Sequence, residues 1–306
     1  MEKGGSVTCN DPMVSVKCIF CGEPEDTVLY PARFGTDSFS PYAFSARRKR
    51  NREHYRIVSC KCGLVRSDPV LHEDDINSLY MQSELISSVE TDFAATTYAG
   101  LLDAMLKKHA GGKRPESLLE IGCSDGAFLE KAVEYGVRNV LGFEPSGKSI
   151  ENAADAVKDK IINDVFKPEL LDGRRFDTAC SFQVFDHLMH PKETLQSVTK
   201  HLNAGGYVLI ACHDVESWSA KLLGSFSPIF DIEHIHFFSQ STLTRLLEES
   251  GVKVLDAGSY ANTYPLGYWL RMLPTVGALT AIMPSFMLNI PLRIRAGNIY
   301  AFGRKI

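Results

Sequence analysis

A group of histidines with acidic neighbours holds much of the reactive chemistry in the middle of this chain: His187 and His190 beside Asp186, His213 beside Asp214, and His234 and His236 in the run Asp231-Ile232-Glu233-His234-Ile235-His236. Histidine titrates near neutrality, so such groups suit a general base. A second reactive set is the cysteine pairs Cys18-x-x-Cys21-Gly22 and Cys60-x-Cys62-Gly63. Two such pairs can supply four thiolates to a tetrahedral structural zinc ion. The second pair is one residue short of the usual C-x-x-C spacing, with Cys9 and His54 as substitute ligands, and buried unrelated thiols are the plain alternative. The third set is Glu120-x-Gly122-x-Ser124-x-Gly126, where an apolar strand enters a glycine turn and then a helix carrying Phe128, Leu129 and Val133. Glu120 and Asp125 put carboxylates where a dinucleotide site wants bare amides, so the corner suits a cationic, phosphate-free ligand.

These residues need a scaffold, and the pattern around them supplies one. Val140 to Glu144 reads as a second strand ending in an acid, Phe176 to Gln183 as another, and Leu202 to Ile210 as a strand opened by Gly205-Gly206. Strands alternating with helices imply a doubly wound parallel sheet. Ser239 to Ser250 is a helix capped by Ser239 with Leu243, Leu246 and Leu247 on its buried face, and 251–255 and 298–302 are the last strands. Every histidine named above then falls at a strand's carboxyl end or in the loop after it, where open α/β sheets bind ligands.

In that order the motifs resemble those of class I S-adenosylmethionine (SAM) dependent methyltransferases, with Ser124 where a second glycine often stands. The resemblance covers Leu118 to Lys253. It implies a Rossmann-like, doubly wound, mostly parallel seven-stranded sheet preceded by a small zinc-ribbon-like module. It assigns Glu120, Gly122, Cys123, Ser124, Asp125, Gly126, Glu144 and Gln183 to SAM, with Glu144 accepting from the ribose hydroxyls. Methyl transfer from a sulfonium is an in-line displacement that needs a base when the nucleophile is a hydroxyl. His187 and His236 rank first for that role, with Asp186 orienting a histidine or touching substrate. Cys18, Cys21, Cys60 and Cys62 resemble the zinc-binding module that precedes the methyltransferase domain in bacterial sugar and natural-product methyltransferases.

The expected division is a zinc-ribbon-like module over 1–69, a helical connector over 70–115 that helps cover the SAM site, and a methyltransferase domain over 116–306. The connector holds a helix near Asp75 to Met81 and an apolar face of Tyr98, Leu101, Leu102, Met105 and Leu106. Met272 to Leu292 carries no charge, but Pro274, Pro284 and Pro291 interrupt any single long helix. The region 260–297 is therefore expected as a helical cap lined by Tyr264, Tyr268, Trp269 and Phe286, with peripheral membrane contact through 264–292 as the sharper reading.

A formal net charge of −4 does not suggest a polyanion-binding protein, which makes nucleic acid the lesser reading, and the Arg47 to Arg52 run reads as a solvated loop or a site for an anionic partner. No leader pattern is present, so the chain is expected in the cytoplasm with reduced thiols. The expected acceptor is a small molecule, most of all an oxygen of a sugar or of a lipid- or glycan-linked intermediate. An RNA methyltransferase and a non-catalytic SAM-binding scaffold stand as alternatives, and a His213, Asp214, Glu233, His234 metal cluster is the lesser reading of the histidines.

Overall fold

The computed structural model describes residues 13–23, 27–48, 51–272, 280 and 283–306. The first part contains β1 (Thr27–Tyr30), β2 (Ile57–Ser59) and β3 (Val65–Ser67), then α1 (Glu73–Met81) and α2 (Ser88–His109). The alternating part follows with β4 (Ser117–Ile121), α3 (Ala127–Glu134), β5 (Asn139–Phe143), α4 (Gly147–Glu151), α5 (Asp155–Lys158), β6 (Ile161–Ile162), β7 (Phe176–Phe182), α6 (Pro191–Lys200) and β8 (Leu202–His213). The chain closes with α7 (Trp218–Leu223), β9 (His236–Phe237), α8 (Gln240–Glu249), β10 (Val252–Pro265), α9 (Leu266–Met272), α10 (Ser285–Leu288) and β11 (Pro291–Lys305).

Seven strands form one sheet in the order β10-β11-β8-β7-β4-β5-β6. The pairs among β8, β7, β4, β5 and β6 are parallel, while β11 runs antiparallel to both β8 and β10, so β11 alone is reversed. This is the Rossmann-like, mostly parallel sheet the alternation implied. The chain leaves β4 toward β5 on one side and returns to β7 on the other, which opens a crevice at the carboxyl end of β4. Both faces are covered. α2 and α3 pack through Tyr98, Leu102, Met105, Phe128 and Leu129 on one side, and α6 and α8 through Leu195, Leu243, Leu246 and Leu247 on the other. The Ser239 cap on α8 is present: its hydroxyl accepts from Thr242 N, while Thr242 Oγ1 accepts from Ser239 N, satisfying amides that a bare helix end would leave unpaired.

Two boundaries differ from expectation. The N-terminal module is not separate, because its sheet has the order β1-β2-β3-β9 and takes its last strand from beyond β8. Cys18, Cys60 and Leu64 also share a core cluster with α8, and Arg245 lies 4.4 Å over the Phe20 ring. The composition of 1–69 looks independent, but the apolar back of the cysteine knuckles is buried against α8. The second correction concerns 260–297. Tyr260 to Pro265 and Pro291 to Asn298 are paired strand, in a register that sets Asn262 against Ile294 and Tyr264 against Leu292, so the hairpin simply outgrows the sheet. Prolines that break a helix are tolerated at its strand ends. Tyr264 is buried, whereas Phe286 is 72% exposed. A cavity of about 220 Å³ separates the start of α2 from the hairpin tip, with Glu90 and Arg271 paired on its wall. Residues 273–279 and 281–282 of the uncharged run lie outside the described residues, and no described helix is long and apolar enough to cross a membrane.

Candidate functional site

The crevice floor is the turn after β4. Gly122 has φ 74°, and a β-carbon there would stand 2.3 Å from Val184 Cγ2, so only glycine fits. Gly126 has φ 73° and begins α3. Ser124 (φ 52°) and Gln183 (φ 60°) take the left-handed conformation without being glycine, and strain of that kind gathers at functional sites. Phe143 O accepts from both Gly122 N and Cys123 N, and the Cys123 side chain is buried against Gly142. Both amides and the thiol are therefore engaged within the turn. Gln183 stands at the end of β7, donating to Tyr260 Oη at 3.2 Å and to Asn298 Oδ1 at 3.0 Å.

Three carboxyl groups surround this turn. Glu144 accepts from Ser124 N through one oxygen and from Ser146 N through the other, both at 2.9 Å. Burial still outweighs those two bonds and pushes its carboxyl up to about 7. Burial, then the charges of Asp125 and Glu144, raise Glu120 well above the ordinary carboxylate range, and Glu120 Oε2 has no hydrogen-bond partner. Asp125 is also raised by burial, against the amide of Ala127 and the charge of Arg47. Carboxyls clustered in this way form a site that a positively charged ligand stabilises.

A second polar centre lies one strand over, beyond β7 and β8, and its hub is Asp186. Asp186 Oδ2 is 2.7 Å from His213 Nδ1 and 3.9 Å from His234 Nε2, and Oδ1 is 3.5 Å from His187 Nε2. Burial alone raises an acid, yet the charges of His187, His213 and His234 and the bond from His213 overcome it and hold this carboxyl far below its usual range. The segment carrying His234 is pinned because Asp186 O accepts from Ile235 N and His236 N while His234 O accepts from the Ser67 hydroxyl. His187 Nδ1 is 2.7 Å from the Tyr80 hydroxyl and 3.9 Å from Glu233 Oε2.

The three rings differ in access. His234 is 1% exposed and its Nδ1 bonds Ile229 O at 2.6 Å, His187 is 13% exposed, and His213 is 26% exposed. His213 donates Nδ1–H to Asp186, which leaves Nε2 as the basic nitrogen on the most accessible ring. His236, expected among the bases, is not in this group. It is fully buried in β9, burial depresses it to about 4 against a weak bond to Met189 O, and no solvent reaches it. His190 is exposed beside Glu73, and Asp214 is occupied by the amide of Glu216, so neither joins the centre. Asp186, His187 and His234 also lie close enough to share an ion. Sequence reading named His213 and Glu233 without ranking them first and missed Tyr80, whose signal was only its helical spacing in α1.

The cysteines do converge. The Sγ atoms of Cys18, Cys21, Cys60 and Cys62 lie within 4.8 Å of one another, with Cys18–Cys62 and Cys21–Cys60 at 3.3 Å. These separations bracket the edge of roughly 3.8 Å that Zn–S bonds near 2.3 Å require of a tetrahedron. Gly63 N bonds Cys60 O, a tight turn that lets the C-x-C pair aim both thiols inward. His54 bonds Tyr55 O and is no ligand, and Cys9 lies outside the described residues. Of the arginine run, Lys49 and Arg50 lie outside the described residues, but buried Arg48 pairs with Asp231, and Arg47 Nη1 donates to Tyr264 Oη at 2.7 Å.

With this geometry in hand, comparison with known proteins is informative. A family model described as a methyltransferase domain matches residues 92–257, more than half of the chain. A tRNA U34 carboxymethyltransferase of Campylobacter fetus is 27% identical over 152 residues, covering 47% of this chain and 53% of that protein. A ubiquinone biosynthesis O-methyltransferase of Acinetobacter baylyi is 22% identical over 181 residues, covering 54% of this chain and 75% of that protein. The matches span about half the length of the first of these relatives. Among solved structures, the plantazolicin methyltransferase BpumL in complex with SAH aligns at 18% identity and a TM-score of 0.49, over 76% of this chain and 90% of that one. TehB from Haemophilus influenzae aligns at 15% identity and a TM-score of 0.40, over 68% and 62%.

Proposed function

The chain belongs to the methyltransferase-domain family, and from that premise we propose that it is a class I, SAM-dependent enzyme that methylates a hydroxyl oxygen of a small-molecule acceptor, a sugar hydroxyl above all. The observation that carries this reading is the Asp186-centred group of histidines beside the cofactor crevice. Glu144, steered by two backbone amides, holds the ribose hydroxyls, and the carboxyls of Glu120 and Asp125 favour the cationic end of the ligand. Bound there, SAM supplies an electrophilic methyl carbon. His213 Nε2 takes the acceptor's proton, and Asp186 holds the ring in the productive tautomer and stabilises the imidazolium that forms. His187, bonded to Tyr80, and His234 position Asp186 and the acceptor. The four cysteines hold a structural zinc ion that secures the fold of the module.

The test is methyl transfer from labelled SAM to a panel of hydroxylated small molecules, with His213→Ala and Asp186→Asn alongside wild type. The reading expects product that both substitutions suppress, with affinity for S-adenosylhomocysteine (SAH) kept. Full turnover in both variants would remove the base assignment.

A second reading, transfer to RNA, is favoured by the tRNA U34 carboxymethyltransferases among the relatives. Against it, Arg48 is paired internally with Asp231 rather than offered to phosphates. Salt-sensitive tRNA binding together with label in RNA would bring that reading forward. SAH binding without transfer to either class would leave a SAM-binding scaffold.

A further inference from the structure

Arg47 belongs by sequence to the cysteine-rich module, yet its side chain enters the methyltransferase domain. Its backbone is left-handed at φ 63°, an unfavourable conformation for a residue with a β-carbon. Neighbouring bonds hold it there: Ala46 N donates to Glu84 O, and Ala46 O accepts from Ile86 N, both at 3.0 Å. The same connector is tied to the ribose end of the crevice, since the Ser146 hydroxyl donates to Ser83 O at 2.6 Å.

The guanidinium so placed donates to Tyr264 Oη at 2.7 Å and lies 5.6 Å over that ring. Tyr98 is a further hydrogen-bond neighbour, and Tyr268 and Asp125 are within electrostatic reach. Among the described residues no carboxylate is within ion-pair distance of Arg47, whereas Arg48, one position on, is paired with Asp231. A largely enclosed guanidinium surrounded by phenols is half of an ion pair, because a cation taken out of water calls for a counter-ion.

The crevice places that counter-ion. Glu144 at the end of β5 and Gln183 at the end of β7 flank the turn of β4 on opposite sides. Tyr98 stacks on Phe182 with centroids 4.2 Å apart and meets Tyr260 edge-on, and Tyr260 is bonded to Gln183. Arg47 therefore reaches the crevice on the β7 side, away from the ribose-binding acid. We propose that Arg47 completes the cofactor site by binding the carboxylate of the methionine moiety, so that the N-terminal module contributes a cofactor ligand directly. This rests on the SAM-dependent reading above. A guanidinium suits the task because its planar fork matches both carboxylate oxygens, which an ammonium does not.

The experiment is calorimetric titration of the full-length protein with SAH and with methylthioadenosine, which keeps the nucleoside and lacks the amino-acid end. In Arg47→Met, SAH affinity is expected to fall by roughly tenfold or more while methylthioadenosine changes by less than about twofold. Arg47→Lys is expected to lose part of the SAH affinity, and it keeps the question answerable if Arg47→Met does not fold. SAH affinity equal to wild type in both variants would overturn the proposal, and so would equal losses for both ligands, which mark a structural role. A wild-type protein that binds neither ligand would overturn the methyltransferase reading itself.

Discussion

The carboxyls around the β4 turn and the carboxyl of Asp186, one strand apart, have their pKa values pushed in opposite directions. Around the β4 turn, Glu120, Asp125 and Glu144 sit among one another, and burial raises all three. Beyond β7, Asp186 is just as deeply buried, but the histidines around it hold it ionised. Burial is common to both, so the neighbours decide the charge. The first group is poised to receive a cation from outside, while the second is set among histidines and can orient His213 as a base.

The comparison breaks most visibly at Asp186. Asp186→Asn removes the charge that orients and polarises His213, and turnover is expected to drop by roughly 10²- to 10⁴-fold with SAH affinity little changed. Initial rates with an identified acceptor measure it, and a loss in SAH affinity as large as the loss in rate would mean that the two centres are not separate. His236→Asn is expected to cost stability while leaving the turnover of folded protein near wild type. Next in size is the four-cysteine cluster proposed to hold zinc. Because β9 completes the module's sheet, Cys18→Ser is expected to lower global stability by about 3 kcal/mol or more and to lose about one zinc per chain. Thermal unfolding with metal analysis of reduced protein checks both.

On the cofactor side, Gly122→Ala is expected to cost about 2 kcal/mol, since its β-carbon meets Val184 at a strained φ, and Val184→Ala in the same chain should return part of the loss. The smallest effect is the pH dependence of Glu144. Its folded-state pKa lies above the unfolded value, so the folded protein holds the proton more tightly. Stability then falls as pH rises from the ordinary carboxylate range to about 7, by roughly 1 to 3 kcal/mol. Ribose binding favours the ionised form, so SAH affinity is expected to rise between pH 6 and 8 by a few-fold, with proton release seen as a buffer-dependent binding enthalpy. Glu144→Gln should flatten both trends. A flat profile in wild type would mean that the acid is ionised throughout.

The turn after β4 was legible in the sequence because its determinants are local. Gly122 and Gly126 announce a turn, and Glu144 follows a strand whose apolar run is read in a few residues. The order of strands through β8 was legible for the same reason. The choice among histidines was not, because His213 and His236 differ only in what folds over them, and His236 enters a sheet with β3 from far away in the chain. Tyr80 gave no signal beyond the period of α1. The extension of the β10 and β11 hairpin was missed because hydropathy suggested a cap where strand pairing extends. The inward turn of Arg47 and Arg48, to Tyr264 and Asp231, was not legible because charge density says nothing about direction.

The most direct measurement is single-turnover methyl transfer by wild type, His213→Ala and Asp186→Asn at saturating SAM, with SAH affinity determined for the same preparations. A base centred on Asp186 and His213 requires both variants to bind SAH like wild type and to transfer methyl at least about a hundredfold more slowly. Transfer at the wild-type rate in either variant would contradict it.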